Sequence, residues 1–239
     1  MLTIDFHSHI LPAIDDGSRD VKTSIEMLQM SSAQRIAVMA ATPHFYAMHD
    51  RVEDFLQRRN EARESLQNCL APGMPEILLG AEVAFFKGIS RADKLTALTV
   101  ENTKLLLLEM PFAPWSDEDI EEVRILAENR GFTVMLAHVE RYFSVRENRK
   151  KMLELVRLPL IVQINAGSLL EWKSRGKVLR MFQDGQAHVL GSDCHGVSRR
   201  SPNLLAGREV LKKKLGQDVL DEIDQTGCRL LGYKEEKDV

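Results

Sequence analysis

Nothing in this chain pulls it toward a membrane, a secretory route or a polyanion. Apolar residues make up 44% of its 239 positions, but they never run together for the roughly 20 positions a spanning helix needs. No basic stretch followed by an apolar one opens the chain, so no secretory signal is expected. The three cysteines, Cys69, Cys194 and Cys228, show no zinc-finger spacing; an odd set of this kind predicts reduced thiols in a cytoplasmic protein. Charge is balanced, with 32 Lys and Arg against 35 Asp and Glu and a formal net charge of −3. The isoelectric point falls near 6.2. That balance gives no global attraction to nucleic acid or anionic lipid. No linker, low-complexity segment or repeat divides the chain, so residues 1–239 read as one domain with a sizeable core.

What the chain does have is concentrated first in Met1 to Gly17. A short apolar strand, Leu2 to Phe6, delivers His7 and His9 and then breaks into a loop carrying Asp15 and Asp16. Side chains two apart share one face of an extended chain, so both imidazoles can reach one metal ion. Helical spacing follows over Val21 to Gln34, with Ser18 or Asp20 as N-cap. Ile36 to Thr42 reads as a strand ending at Pro43-His44, and Val52 to Leu70 as an amphipathic helix. Ile77 to Leu79 is a strand running into Gly80-Ala81-Glu82, followed by a short helix around Ser90 to Leu98. Lys104 to Leu108 is a strand delivering Glu109, and Ser116 caps a helix to Asn129. Phe132 to Ala137 ends at His138. Arg146 to Arg157 reads as helix, Leu160 to Ile164 as strand ending at Asn165, and Leu169 to Asp184 as helix. Ala187 to Leu190 is a strand before Asp193-Cys194-His195. Helices over Asn203 to Leu215 and Asp218 to Gln225 precede a solvated tail, Lys234 to Asp238.

Strand, loop and helix thus alternate seven times, which predicts an α/β fold with a parallel sheet and helical crossovers. His7, His9, His44, Glu82, Glu109, His138, Asp193 and His195 all fall at or just beyond the C-terminal end of a strand. That set holds five of the seven histidines. In a closed parallel barrel those ends converge on one rim, where such folds keep their chemistry. With Asp16 the candidates exceed what one ion takes, since four ligands saturate a tetrahedral site. Imidazole and carboxylate without thiolate suit zinc, manganese or iron. Two or three divalent ions are therefore expected, bridged by Glu82 or Glu109 and suited to hydrolysis of phosphate esters.

These residues carry a resemblance. The His-x-His strand, His44, Glu82, His138 and Asp193-x-His195 look like the polymerase-and-histidinol-phosphatase (PHP) superfamily. More narrowly, Asp5-Phe6-His7-Ser8-His9-Ile10-Leu11-Pro12 running into Ile14-Asp15-Asp16-Gly17, with Gly80-Ala81-Glu82-Val83 and Ala137-His138-Val139-Glu140-Arg141-Tyr142, resembles the CpsB/CapC family of bacterial manganese-dependent tyrosine phosphatases. The resemblance implies a distorted (β/α)7 barrel with three ions. The first would take His7, His9, Glu82 and Asp193; the second Glu82, Glu109 and His138; the third Asp16, His44 and His195. It also implies two arginines for phosphate, at Arg141 and Arg200, which with Asp16 form the catalytic set. After His195 the family usually shows Asn and later Arg-Pro-Pro. Here Gly196 and Arg200-Ser201-Pro202 stand instead, leaving Arg199 as an alternative to Arg200. The implied substrate is a phosphotyrosine protein, an autophosphorylating bacterial kinase of capsule or exopolysaccharide synthesis, attacked by metal-activated hydroxide.

Other residues have plainer readings. Asp15 reads as a loop residue, Asp5 as an orienter of an imidazole, and Asn165 as a structural hydrogen-bonder. His49 and His188 are given surface or strand roles, and Arg146, Arg149, Lys150 and Lys151 a solvated helix face. Phe45, Tyr46 and Tyr142 are candidates for stacking on a phosphotyrosine ring. Cys194 and Arg200 reproduce the Cys-x5-Arg spacing of thiolate phosphatases, but Cys194 sits between two metal candidates, so alternation turns its thiol away from them. The competing readings are a PHP-type esterase acting on a small phosphomonoester such as histidinol phosphate, a nucleic-acid phosphodiesterase, which the acidic balance disfavours, and a non-catalytic binding protein stapled by metal. Homo-oligomerisation is left open.

Overall fold

The computed structural model describes residues 1–233, and the tail Lys234–Asp238 lies outside them. Nine strands, all paired in parallel, alternate with helices. They are β1 (Ile4–Ser8), β2 (Val38–Ala41), β3 (His44–Phe45), β4 (Glu76–Leu79), β5 (Glu82–Ala84), β6 (Leu105–Glu109), β7 (Thr133–Leu136), β8 (Ile161–Asn165) and β9 (Val189–Gly191). Two pairs of these, β2 with β3 and β4 with β5, are single staves broken in the middle, so the nine strands make the seven staves expected.

The breaks distort the barrel. Pro43 has no N–H to give a ladder, and beyond it the pairing changes partner. Below the break the order is β1-β2-β4; above it, β3-β5-β6-β7-β8-β9. The top of β1 stays on the β2 stave as far as Ser8, whose carbonyl accepts from Thr42 N–H at 2.8 Å, and its other edge pairs across the closing seam. Asp193 N–H donates to His7 O at 2.7 Å and His9 N–H to Cys194 O at 3.0 Å. The gap so opened beside β3 is filled by the first loop, where Asp15 Oδ2 accepts the otherwise unpaired His44 N–H at 3.0 Å. Buried backbone donors need such partners.

Six strands, β1, β2, β4, β6, β7 and β9, share one apolar cluster that includes Phe6, Ala40, Leu107 and Val189, with Cys228 of the last helix. Only a sheet curled onto itself lets opposite staves meet in this way. A larger apolar layer, among it Met39, Leu106, Val134 and Ile164, lies between the sheet and the helices. Alternation along each strand thus supplies two cores, one per face.

The helices are α1 (Val21–Ala33), α2 (Val52–Gln67), α3 (Asp117–Glu128), α4 (Arg149–Leu155), α5 (Trp172–Gln183), α6 (Leu204–Leu215) and α7 (Gln217–Leu231). Asp20 caps α1, accepting from Thr23 N–H, and Ser116 caps α3 in a reciprocal capping box with Asp119. Four expectations change. The helix expected over Arg146 to Arg157 is a 3₁₀ turn at Arg146–Asn148 followed by the shorter α4. The helix around Ser90 to Leu98 is two 3₁₀ turns. The helix from Leu169 begins instead at Trp172, after a separate 3₁₀ turn at Ala166–Leu169. The final helix runs past Gln225 to Leu231. Among the described residues no helix is long and apolar enough to cross a membrane.

Two glycines set how closely the site strands approach. A Cβ on Gly17 would lie 2.4 Å from both the Cβ and the carbonyl oxygen of His9, and one on Gly191 would lie 2.6 Å from His7 Cβ and 2.8 Å from Gln163 Nε2. Gly191→Ala is expected to force β9 off β1 and cost about 1–3 kcal/mol, the usual penalty of overpacking. Thermal melts of the two proteins should show the variant several degrees lower; an unchanged midpoint would mean that the seam tolerates the methyl group.

Candidate metal centre

All nine metal candidates lie at the C-terminal rim, and the structure brings eight of them around the ninth, Glu82. Glu82 is 1% exposed. Its Oε2 lies 3.1 Å from His7 Nε2, 3.3 Å from His9 Nε2 and 3.0 Å from His44 Nδ1, while Oε1 lies 2.9 Å from His138 Nε2. Glu109 Oε1 is 3.3 Å from the same His138 nitrogen. Asp16 Oδ1 sits 3.5 Å from His44 Nε2 and 3.4 Å from His195 Nε2. Asp193 Oδ1 lies 3.7 Å from His7 Nε2 and 3.5 Å from His9 Nε2. Ligand-capable atoms within 4.8 Å of one another fall into overlapping sets: His7, His9 and Glu82; His44, Glu82 and Glu109; and His9, Asp16, His44 and His195.

The hydrogen bonds behind the rings fix which nitrogen faces the cluster. Gln163 must turn its Oε1 toward the His138 backbone N–H at 2.8 Å, and the same oxygen lies 3.2 Å from His7 Nδ1. His7 therefore donates from Nδ1 and presents a lone pair at Nε2. His9 Nδ1 donates to Asp15 Oδ2 at 2.7 Å, and His195 Nδ1 to the Asp193 carbonyl at 3.0 Å. Three rings so arranged point lone pairs inward, two of them Nε2 to Nε2 at 3.2 Å. Lone pairs this close repel unless a cation or a proton lies between them.

Further buried atoms at the cluster make no hydrogen bond: Glu82 Oε2, His44 Nδ1 and His195 Nε2. Buried polar groups are otherwise almost always paired. With protein groups alone, the positive charge has to come from protons. Burial favours the neutral rings, yet the carboxylates of Asp15 and Glu82 push His9 up to about 10, and those of Glu109 and Glu82 push His138 up to about 9. Glu82 is held well below the ordinary carboxylate range despite its burial, by His7 and the other rings. Inward lone pairs and unpaired buried polar atoms gathered around one carboxylate fit divalent cations.

The backbone is strained here as well. His138, Asp193 and Arg200 have positive φ, at 31°, 52° and 53°, a conformation that non-glycine residues adopt at a cost of about 1–3 kcal/mol and that gathers at functional sites. Both phosphate-arginine candidates converge on Asp193 from the solvent side. Arg200 Nη2 is 2.6 Å from Asp193 Oδ1, and Arg141 Nη1 is 3.8 Å from Oδ2. Arg199 instead lines a cleft on the far side of His195, with Arg19 and Lys22.

Several sequence readings need correction. Asp15 is more than a loop residue: it orients His9 and seals the sheet gap. Asp5 does not touch an imidazole; its Oδ1 accepts the backbone N–H groups of His7 and Ser192, at 3.2 and 2.8 Å. Gln163, absent from the sequence reading, holds His7. The one polar side chain in an apolar strand was its only signal. Asn165 joins the same chain of contacts, accepting from Gln163 Nε2 at 3.0 Å and donating to Asp193 Oδ2 at 2.7 Å. Among the aromatic candidates, Phe45 and Tyr142 are buried. Tyr46 alone is exposed, its ring 5.3 Å from that of His44. Cys194 is fully buried, and burial, with Asp5 nearby, pushes its thiol well above the usual range. That is opposite to what a nucleophilic cysteine requires. His188 serves the strand, its Nδ1 accepting from Val162 N–H, and His49 is exposed.

A parallel barrel with an imidazole- and carboxylate-lined rim defines the class of metal-dependent barrel hydrolases. Comparison with known proteins narrows it. The family described as "Capsular polysaccharide synthesis, CpsB/CapC" matches residues 3–229, and the chain belongs to that family. It is 30% identical over 222 residues to the tyrosine-protein phosphatase YwqE of Bacillus subtilis, covering 90% of this chain and 86% of that protein. To the tyrosine-protein phosphatase CpsB of Streptococcus pneumoniae it is 26% identical over 238 residues, covering 92% and 94%. A solved chain from the work on YwqE and CpsB, described as unique metal-dependent tyrosine phosphatases, superposes with a TM-score of 0.83 at 26% identity, over 97% of this chain and 95% of that one.

Metal-ligating histidines depend on the partner of their other nitrogen, and losing it typically costs about 10–100-fold in metal affinity. Gln163→Leu is expected to weaken binding of a divalent ion to that extent. Metal titration followed by thermal shift measures it; wild-type affinity in the variant would remove Gln163 from the centre.

Proposed function

We propose that this chain is a metal-dependent protein-tyrosine phosphatase in which His7, His9, Glu82 and Asp193 hold one ion, Glu82, Glu109 and His138 a second, and Asp16, His44 and His195 a third, with manganese the preferred metal. The observation that carries the reading is the buried Glu82 carboxylate ringed by four imidazoles, beside two arginines aimed at one carboxylate on the solvent side. Family membership and the names of the relatives support it. The substrate proposed is phosphotyrosine on a protein of capsule or exopolysaccharide synthesis, an autophosphorylating kinase. Both arginines are more than two-fifths exposed, so an ester carried on another protein's surface can reach them.

When bound, the divalent ions activate water and neutralise charge on the phosphoester. The chain's own residues do the rest. Arg141 and Arg200 exchange part of their contact with Asp193 for the phosphoryl oxygens, where a planar guanidinium donates in pairs. Asn165 and the strained backbone hold Asp193 in place during that exchange. Gln163 and Asp15 keep the Nδ1 protons of His7 and His9 away from the reacting side. The leaving group is a phenolate, whose conjugate acid has a pKa of about 10, so the site needs no strong general acid.

The test separates metal from phosphate. Guanidinium offers no lone pair, so Arg141→Ala should keep its bound metal while kcat on a phosphotyrosine peptide falls about 10²–10³-fold, as on loss of one charge-stabilising donor. Glu82→Gln should lose metal together with activity. Loss of metal from the arginine variant, or near-wild-type turnover by it, refutes its assigned role. A chelator should abolish wild-type turnover and manganese restore it; turnover that persists in chelator would overturn the metal-dependent reading.

A further inference from the structure

An apolar ring sits where the proposed phosphate-binding groups meet solvent. Phe112 is 47% exposed, yet it is not a loose surface residue. Its ring lies 5.7 Å from the His138 ring at an interplanar angle of 23°, and 5.3 Å from Tyr142. The Arg141 guanidinium carbon is 4.6 Å from its centroid, within cation–π range.

The loop that carries it is rigid. Pro111 and Pro114 fix two backbone torsions. Trp115 Nε1 donates to Pro111 O at 2.8 Å, Asn148 Nδ2 to Ala113 O at 3.0 Å, and Trp115 N–H to Asn148 Oδ1 at 2.8 Å. Just before the loop, Met110 N–H donates to the Tyr142 hydroxyl at 2.8 Å. Asn148 and Tyr142, which anchor the segment, are themselves buried. A phenyl ring held half in water by a braced loop does not contribute its full burial to stability, but it is preorganised to bind.

We propose that Phe112 is a specificity-determining residue that receives the aromatic leaving group of the phosphoester. The proposal rests on the phosphatase reading above. A phosphoryl group on Arg141 can turn its ester oxygen toward the ring packed against that arginine. A phenyl group on that oxygen gains an offset or edge contact with Phe112; an alkyl chain gains only area. Such aromatic pairs are favoured beyond the apolar surface they cover.

The test uses two non-hydrolysable phosphonates on manganese-loaded protein, with binding read by calorimetry and metal content checked in each sample. Benzylphosphonate carries the ring, and butylphosphonate carries an alkyl chain in its place. Phe112→Ala should weaken benzylphosphonate about three- to tenfold and leave butylphosphonate nearly unchanged, and Phe112→Tyr should restore the difference. Equal loss for both phosphonates would overturn the proposal, because Phe112 would then act only by positioning Arg141; so would no loss for either. If the wild type binds neither phosphonate and cleaves no phosphotyrosine peptide, the phosphatase reading itself fails and this one with it. If the wild type cleaves the peptide and Phe112→Ala keeps full preference for benzylphosphonate, only the role of Phe112 falls.

Discussion

The structure turns on one buried carboxylate. Glu82 lies at the start of β5, just past the break in its stave, at the point where four histidines from three other staves can reach it. Isolated, an ionised carboxylate at that depth would be prohibitively costly. Here the imidazoles surround it, and the tautomers of His7 and His9 are fixed from behind so that their lone pairs also face it. The arrangement is consistent only with net positive charge at the centre. That requirement links the polar rim to the fold, because the five residues are carried by four staves or by the loops that follow them.

The broken staves follow from the same requirement. An unbroken β2–β3 would keep its ladder with β1 to the rim. The edge of β1 opposite β2 pairs with the segment after β9, which brings Asp193 and His195 beside His7 and His9, while Asp15 closes the gap beside β3 by taking the His44 N–H. Closure of the sheet thus assembles residues from both ends of the chain. The glycines at 17 and 191 make room for it, and the positive φ of His138, Asp193 and Arg200 shows where the backbone has been bent to aim side chains rather than to relax.

Much of this was legible in the sequence, for a reason that lies in topology. Strand–helix alternation implies a parallel sheet, a parallel sheet has one catalytic edge, and residues at strand ends then share that edge whatever their separation. His7, His138 and Asp193 could be grouped on that ground alone. What topology does not encode was not legible. Ile36 to Thr42 reads as one apolar run, and nothing local shows that pairing changes partner at Pro43. Gln163 is a single amide in an apolar strand, and its role depends on which backbone N–H lies opposite it. The helix expected from Leu169 fails because its hydrophobic spacing runs through a separate turn at Ala166–Leu169. The exposed ring of Phe112 lies in a proline-flanked loop whose sequence gives no hint of the arginine that packs on it.

The site is built in two layers that differ in physical character. The inner layer is nearly dry: His7, His9, Glu82 and His138 are all buried to 1% exposure or less, so charge there is felt at low dielectric and is tuned by neighbours a few ångströms away. The outer layer, Arg141, Arg200 and Phe112, is each more than two-fifths exposed. Asp193 joins the two, with Oδ1 shared between the imidazoles and Arg200 and Oδ2 between Asn165 and Arg141. In the proposed function, a phosphoryl group that takes up the arginines would raise the negative charge Asp193 presents to the inner layer. Substrate binding and the charge balance of the centre would then be linked through one fixed carboxylate, with no moving loop.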